Sequence, residues 1–211
     1  MVEAPQPPLF ANIKRILDNH SSLLDAYSLL EPIILDLFNA QRMSIFQRRR
    51  QHQDLVARFK TGKETLEIKV PISPMSIAGY VALSQTPLLI DNPYDQQELK
   101  AVHPRLRFAD KFDKTSDFKT HNILCIPIMN AGVLMGVMQI INKKAGGFTQ
   151  IDLKRAQDLT LVLGDKFRFE LGGTHHPFDL LIHRQLVSKA VLSELEATSS
   201  DTKTLIQRLS S

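Results

Sequence analysis

The chain has 211 residues, 43% of them hydrophobic and 23% charged, with a formal net charge of +4, which is enough for one globular domain of roughly 150 residues and flanking segments. A single cysteine, Cys125, excludes an internal disulfide and any multi-cysteine zinc site, and no window approaches about 18 uninterrupted apolar residues, so no membrane span is expected. The N-terminal MVEAPQPPLF has no basic start followed by an apolar stretch, and with the lone cysteine this points to the cytoplasm. The positive charge permits weak contact with nucleic acid or anionic lipid without requiring it. Neither is therefore an expected partner, and Arg48-Arg49-Arg50 reads as the solvated end of a strand and its turn.

Residues 9–38 carry helical spacing, with Leu23, Leu24, Tyr27, Leu30, Ile33, Ile34, Leu37 and Phe38 recurring at three and four. Asn19 or Ser21 would cap a break between two helices, and Pro32 predicts a kink or a new start. Three short strands follow, Met43 to Arg48, Leu55 to Phe59 and Leu66 to Val70, the last two separated by Thr61-Gly62-Lys63. A helix over Met75 to Ser84 is expected to open with Ser73 as its cap and Pro74 at its first position. Leu88 to Ile90 is a brief strand. The stretch from Asp91 to Lys119 is polar and irregular, too long for a plain connection, and is where a binding lid would lie. Ile123 to Ile128 and Val133 to Ile141 then form a hairpin about Asn130-Ala131-Gly132, apolar at nearly every position, so the sheet is expected to be covered on both faces. A helix from Thr149 to about Glu170 closes the pattern. The fold class is α+β: one antiparallel sheet with helices packed on it. Residues 1–19 form a helical lead-in, 20–171 the domain, and 172–211 a C-terminal helical segment with caps at Ser188 and Ser200.

The order and spacing of Asn142-Lys143, Phe148 and Asp152 resemble the signature of GAF domains of the cyclic-nucleotide phosphodiesterase type. The resemblance covers roughly residues 20 to 170 and implies a sensing module, not a catalyst, folded as a GAF sandwich. In that family Ser76-Ile77-Ala78-Gly79-Tyr80 would be the helix start whose backbone N–H groups meet the ligand phosphate, which places Ile77 and Ala78 at the site; unpaired donors and a partial positive charge suit that role. The segment from Phe112 to Thr120 resembles the part that grips the base, and the matching positions are Asp113, Ser116 and Thr120. An ionised Asp113 accepts two hydrogen bonds side by side, which suits the adjacent donors of guanine; in the alternative reading Asp113 and Ser116 merely cap a turn. Ser44 and Gln139 match further lining positions. The pattern departs where a stacking aromatic is replaced by Ala109, an acidic residue by Thr61 beside Lys60, a glutamate by Gln139, and the terminal Glu of the signature by Leu153. Asn142, Lys143, Phe148 and Asp152 themselves read as structural support, with Asp152 at the start of the last helix pairing with a partly buried Lys143.

Leu180-Leu181-Ile182 and the Leu192, Leu195 pattern resemble the opening of the N-terminal domain of type II secretion and type IV pilus assembly ATPases. The chain stops while that pattern is still running, as expected of the first part of a longer protein. No G-x-x-x-x-G-K-[ST] is present, so the chain itself is not a P-loop ATPase. His175 and His176, a loop pair, and the helical His183 are read as non-metal residues. Cys125 has no evident base beside it and reads as an inert core thiol. No catalytic residues, metal or resident cofactor are expected. Two readings remain: a cytoplasmic sensor binding a small molecule, a purine cyclic nucleotide by resemblance, and signalling as a homodimer through its flanking helices; or a ligand-free scaffold that dimerises or docks a secretion or pilus ATPase through residues 174–211. Side chains such as Phe59, Phe112 and Met138 filling the pocket would mark the second.

Overall fold

The computed structural model describes residues 8–49, 52–61, 64–110, 113 and 118–170. In chain order these form α1 (Pro8–Asp18), α2 (Leu23–Phe38), β1 (Ala40–Arg48), β2 (Asp54–Thr61), β3 (Glu64–Pro71), α3 (Ile77–Ser84), β4 (Leu88–Ile90), α4 (Gln96–Val102), β5 (Ile123–Asn130), β6 (Val133–Lys143) and α5 (Gln150–Glu170). The described strands make a six-stranded sheet in the order β3-β2-β1-β6-β5-β4, antiparallel at every pairing. The first and last strands are therefore neighbours at its centre, with Ser44 opposite Gln139 and Phe46 opposite Val137. The α+β sandwich expected from the sequence is the fold observed.

Alternation along β1 and β6 divides the interior into two layers. Met43, Ile45, Met138 and Ile140 face α1, α2 and α5, joining Leu30, Ile34, Phe38 and Phe167 in one core. Phe46 and Val137 face the other way, toward α3 and the buried Leu99 and Leu106. The hairpin strands, buried at nearly every position, serve both layers. Their turn places Ala131 at φ 46° and Gly132 at φ 77°, two successive left-handed residues that match the twist of the strands.

Several local expectations are corrected. Ser22, not Asn19 or Ser21, caps α2, its hydroxyl accepting from the Asp25 N–H at 3.2 Å. Pro32 lies inside α2 without ending it; the carbonyl deprived of its donor belongs to Ser28, which is exposed, so water can satisfy it. Arg48 is 5% exposed, not solvated, because the burial pattern of β1 continues to its last residue. Arg49 is drawn into a pair with Asp54 across the β1–β2 connection, its Nε donating to Oδ1 at 2.6 Å. Arg50, His175, His176, His183 and the whole of 172–211 lie outside the described residues.

The end of β6 is joined to the last helix by side chains. Lys143 Nζ donates to both carboxylate oxygens of Asp152, at 2.6 and 2.7 Å, with the Asp152 side chain 2% exposed. The same carboxylate accepts from the Thr149 N–H and hydroxyl, both at 2.8 Å, while the Thr149 hydroxyl accepts from the Asp152 N–H at 3.3 Å; this reciprocal arrangement closes the start of α5. Phe148 is buried beside it in the helical-side core. Burial pushes the Asp152 carboxyl upward, but Lys143 and Thr149 outweigh it and hold its pKa below the usual range.

Lys143→Ala should cost about 3 kcal/mol by leaving Asp152 without its counter-charge, a fall in Tm of roughly 10 °C for a domain of this size. A carboxylate with a depressed folded pKa contributes stability that is present above its unfolded value, about 4, and lost as pH falls through the folded value. Asp152→Asn should therefore lower Tm at neutral pH and flatten the acid limb of a Tm-versus-pH curve; parallel acid limbs would contradict this.

Candidate functional site

A cavity of about 390 Å³ lies over the sheet face turned toward α3, with Glu31 of α2 also lining it, within the range of about 300–1,000 Å³ typical of small-molecule sites. Its floor is Ser44, Phe46, Gln139 and Ile141 from the central strand pair, and one wall is Ile68 and Val70 of β3. Ser76, Ile77 and Ala78 at the start of α3 form a second wall. Phe108, Ala109, Asp113, Phe118 and Thr120 close the remaining side. Six of the residues singled out from the sequence, Ser44, Ile77, Ala78, Asp113, Thr120 and Gln139, thus line one space. Ser116 lies outside the described residues.

Helix α3 begins two residues later than expected. Its cap is Ser76, not Ser73: the Ser76 hydroxyl accepts from the Gly79 N–H at 3.1 Å and its carbonyl accepts from the Tyr80 N–H at 2.8 Å. Ser73 instead accepts from the Met75 N–H at 3.3 Å, holding the turn before the helix. The Ile77 and Ala78 N–H groups belong to the first turn, which has no intrahelical acceptors, and sit at the positive end of the helix dipole. Gly79 permits this placement. A Cβ there would lie 2.3 Å from the Pro71 carbonyl oxygen and 2.7 Å from that of Ser73.

The stretch from Asp91 onward is less irregular than its composition implies. Asp95 caps α4, accepting from the Gln97 N–H at 2.7 Å, and Glu98 reaches back to the Asp91 and Asn92 N–H groups at 2.7 and 2.8 Å. Leu99 and Leu106 are fully buried. The far end is tied to β6 by Asn142, whose amide donates to the Lys119 carbonyl at 2.7 Å and to Gln41 Oε1 at 3.0 Å while its Oδ1 accepts from the His121 N–H at 2.6 Å. Asn142 takes φ 59° to do so, a conformation asparagine tolerates better than most side chains.

Asp113 is one of two acidic residues that line the cavity, with Glu31 of α2. Its Oδ2 accepts from the Tyr94 hydroxyl at 2.6 Å and the Thr120 N–H at 2.7 Å, and its Oδ1 from the Thr120 hydroxyl at 3.0 Å. Burial raises its pKa, but these donors and the Arg42 charge prevail and hold it below the usual range, so it is ionised at neutral pH. The Tyr94 phenol, bonded to that carboxylate, is pushed up to about 12 and stays protonated as a donor.

Sequence reasoning missed four residues here. Arg42 lines the cavity with its guanidinium carbon 3.5 Å from the centroid of the Phe118 ring, a cation–π stack. Phe108 also lines it, packed edge-to-face on Tyr94 at 5.2 Å. Aromatic surface is thus present in the cavity although Ala109 stands where a stacking ring was sought. Arg42 was legible in one respect, because it precedes Ser44 by two and so shares its face of β1.

The family model for the GAF domain matches residues 29–164, well over half of the chain. The chain belongs to the GAF domain family. GAF domains commonly bind small molecules and act as regulatory modules. Among curated relatives, the probable 3′,5′-cyclic phosphodiesterase pde-5 of Caenorhabditis elegans is 37% identical over 86 residues, which is 41% of this chain and 10% of that protein. The dual 3′,5′-cyclic-AMP and -GMP phosphodiesterase 11A of Takifugu rubripes is 37% identical over 94 residues, 43% of this chain and 9% of that one. The match therefore spans about a tenth of each of these relatives. The crystal structure of the GAF domain from an Acinetobacter phosphoenolpyruvate-protein phosphotransferase superposes with a TM-score of 0.58 at 15% identity, covering 79% of this chain and 96% of that one; at that identity it speaks for the fold alone. Cys125 is fully buried, and burial pushes its thiol far above the usual range. Among the described residues no group of three or more His, Cys, Asp or Glu converges to hold a metal ion, and no helix is long and apolar enough to cross a membrane.

Gly79→Ala should destabilise the GAF domain by about 2 kcal/mol, because backbone and not a movable side chain meets the added methyl. Ser76→Ala should cost about 1 kcal/mol through the lost cap. Chemical denaturation of both variants checks the order; a Gly79→Ala protein as stable as wild type would contradict it.

Proposed function

We propose that this GAF domain is a sensor that binds a purine cyclic nucleotide in the cavity between the sheet, α3 and the side formed by Phe108, Ala109, Asp113, Phe118 and Thr120. The observation that carries the reading is the convergence on one nucleotide-sized space of first-turn N–H donors at Ile77 and Ala78 and the ionised Asp113 carboxylate. The singly charged cyclic phosphate would sit at the helix start. The base would hydrogen-bond to Asp113 and Thr120, and Phe108 and Phe118 would supply apolar and aromatic contact. Ser44 and Gln139, opposite each other on the floor, would meet the sugar or the base edge. The partial relatives are 3′,5′-cyclic phosphodiesterases, in keeping with this ligand class.

The floor strands carry the helical-side core on their other face. A ligand that shifts β1 and β6 would therefore bias how α2 and α5 pack, which is the physical route for a population shift. Leu29, Ile151 and Leu161 are exposed on those helices, by 47%, 68% and 64%, in keeping with a homodimer formed through them. The ligand-free scaffold is less well supported. Met138 is buried in the opposite layer, while Phe59 and Phe112 are not among the side chains described.

Thermal melting of the purified protein with cyclic AMP, cyclic GMP and cyclic dinucleotides near millimolar should give a saturable rise of several degrees with a purine cyclic mononucleotide, since ligand at about 100 times its Kd stabilises by roughly 2.7 kcal/mol. Asp113→Ala should abolish the rise. No shift with any of them would overturn the reading.

A further inference from the structure

Asp113 has little accepting capacity left. An ionised carboxylate offers about four acceptor positions, two on each oxygen. Oδ2 is filled by the Tyr94 hydroxyl at 2.6 Å and the Thr120 N–H at 2.7 Å, and Oδ1 has accepted the Thr120 hydroxyl at 3.0 Å. Among the described residues these are its hydrogen bonds, and they leave one position, on Oδ1. The Thr120 donors are not easily withdrawn: the residue is buried, and the backbone on either side is bonded to Asn142 through Lys119 and His121.

Tyr94 is of a different kind. It does not line the cavity and reaches Asp113 from outside it. Its ring is held by the edge-to-face contact with Phe108 at 5.2 Å and by the Lys119 ammonium 5.7 Å from its centroid. Its N–H donates to Asn92 Oδ1 at 3.1 Å. The hydroxyl is therefore presented to Asp113 by a ring already packed on Phe108 and Lys119.

We infer that Tyr94 is a positioning residue that sets the base specificity of the site: by filling Oδ2 of Asp113 it leaves one acceptor, so the cavity takes a cyclic nucleotide whose base offers this carboxylate a single N–H, as the adenine amino group does, in preference to guanine. Guanine presents two adjacent N–H donors that need both oxygens. With Oδ2 occupied, one of them would be buried unpaired, and an unpaired donor next to a charge costs more than the bond it fails to make. This inference rests on the cyclic-nucleotide reading above and reverses the guanine preference that Asp113 alone implies.

Calorimetric titration of the full 211-residue protein with cyclic AMP and cyclic GMP, wild type beside Tyr94→Phe, tests it. The phenylalanine keeps the ring and its packing on Phe108 and removes only the hydroxyl. Wild type should favour cyclic AMP by about tenfold or more, and Tyr94→Phe should narrow that ratio by about tenfold, mainly through tighter cyclic GMP binding. A wild type that prefers cyclic GMP, or a Tyr94→Phe protein that weakens both nucleotides equally and keeps their ratio, would overturn the role of Tyr94 while leaving the cyclic-nucleotide reading in place. No saturable binding of either nucleotide to either protein would overturn both.

Discussion

The ion pair between Lys143 and Asp152 is the joint on which the described structure depends. Lys143 is the last residue of β6 and Asp152 lies in the first turn of α5, so two bonds of 2.6 and 2.7 Å fix the central strand to the helix covering it. A buried pair of this kind is seldom a large net stabiliser, because desolvation offsets most of the attraction. What it supplies is register: α5 is placed so that the carboxylate takes Lys143 and also the Thr149 N–H and hydroxyl. The neighbouring Asn142 extends the joint to the other side of the sheet by holding the Lys119 carbonyl and the His121 N–H. Asn122 completes it, its side-chain oxygen accepting from the Lys143 N–H at 2.9 Å.

That joint explains how a site and its supporting helices can share two strands. Along β1 and β6 alternate residues point to the cavity and to the helical core, so Ser44 and Gln139 are separated from Met43 and Met138 only by the thickness of the sheet. A displacement of either strand would be felt on both faces, since close-packed interiors repack in steps and do not stretch. The cavity's charges are also arranged by the fold. Asp113 is kept ionised by Tyr94, Thr120 and Arg42, while the opposite wall presents helix N–H groups. A ligand with an anionic end and a hydrogen-bonding end meets complementary walls.

Much of this was legible in the sequence where contacts are local. The hairpin, its tight turn and the double-sided burial followed from contiguous apolar runs about Asn130-Ala131-Gly132. The approach of Lys143 to Asp152 followed from a strand and a helix joined by a short turn. Errors arose where neighbouring residues compete for one role: Ser73 against Ser76, and Asn19 or Ser21 against Ser22, differ by where the backbone enters the helix, which composition does not encode. Pro32 was over-weighted because the exposure of Ser28 was unknown. Helix α4 was missed because only Leu99 and Val102 face the core along its seven residues, too few for a period to show. Tyr94, nineteen positions from Asp113, and the Arg42–Phe118 stack depend on how the chain folds back on itself, and no spacing rule reaches that far.

The central question is whether a cyclic nucleotide enters the cavity with its phosphate at α3 and its base at Asp113. Amide chemical shifts of isotope-labelled protein, followed during titration with cyclic AMP, test this most directly. Binding as described predicts saturable changes concentrated at Ile77, Ala78 and Thr120, with smaller ones at Ser44 and Gln139. Shifts absent from these amides, or confined to the helical face of α1, α2 and α5, would contradict it.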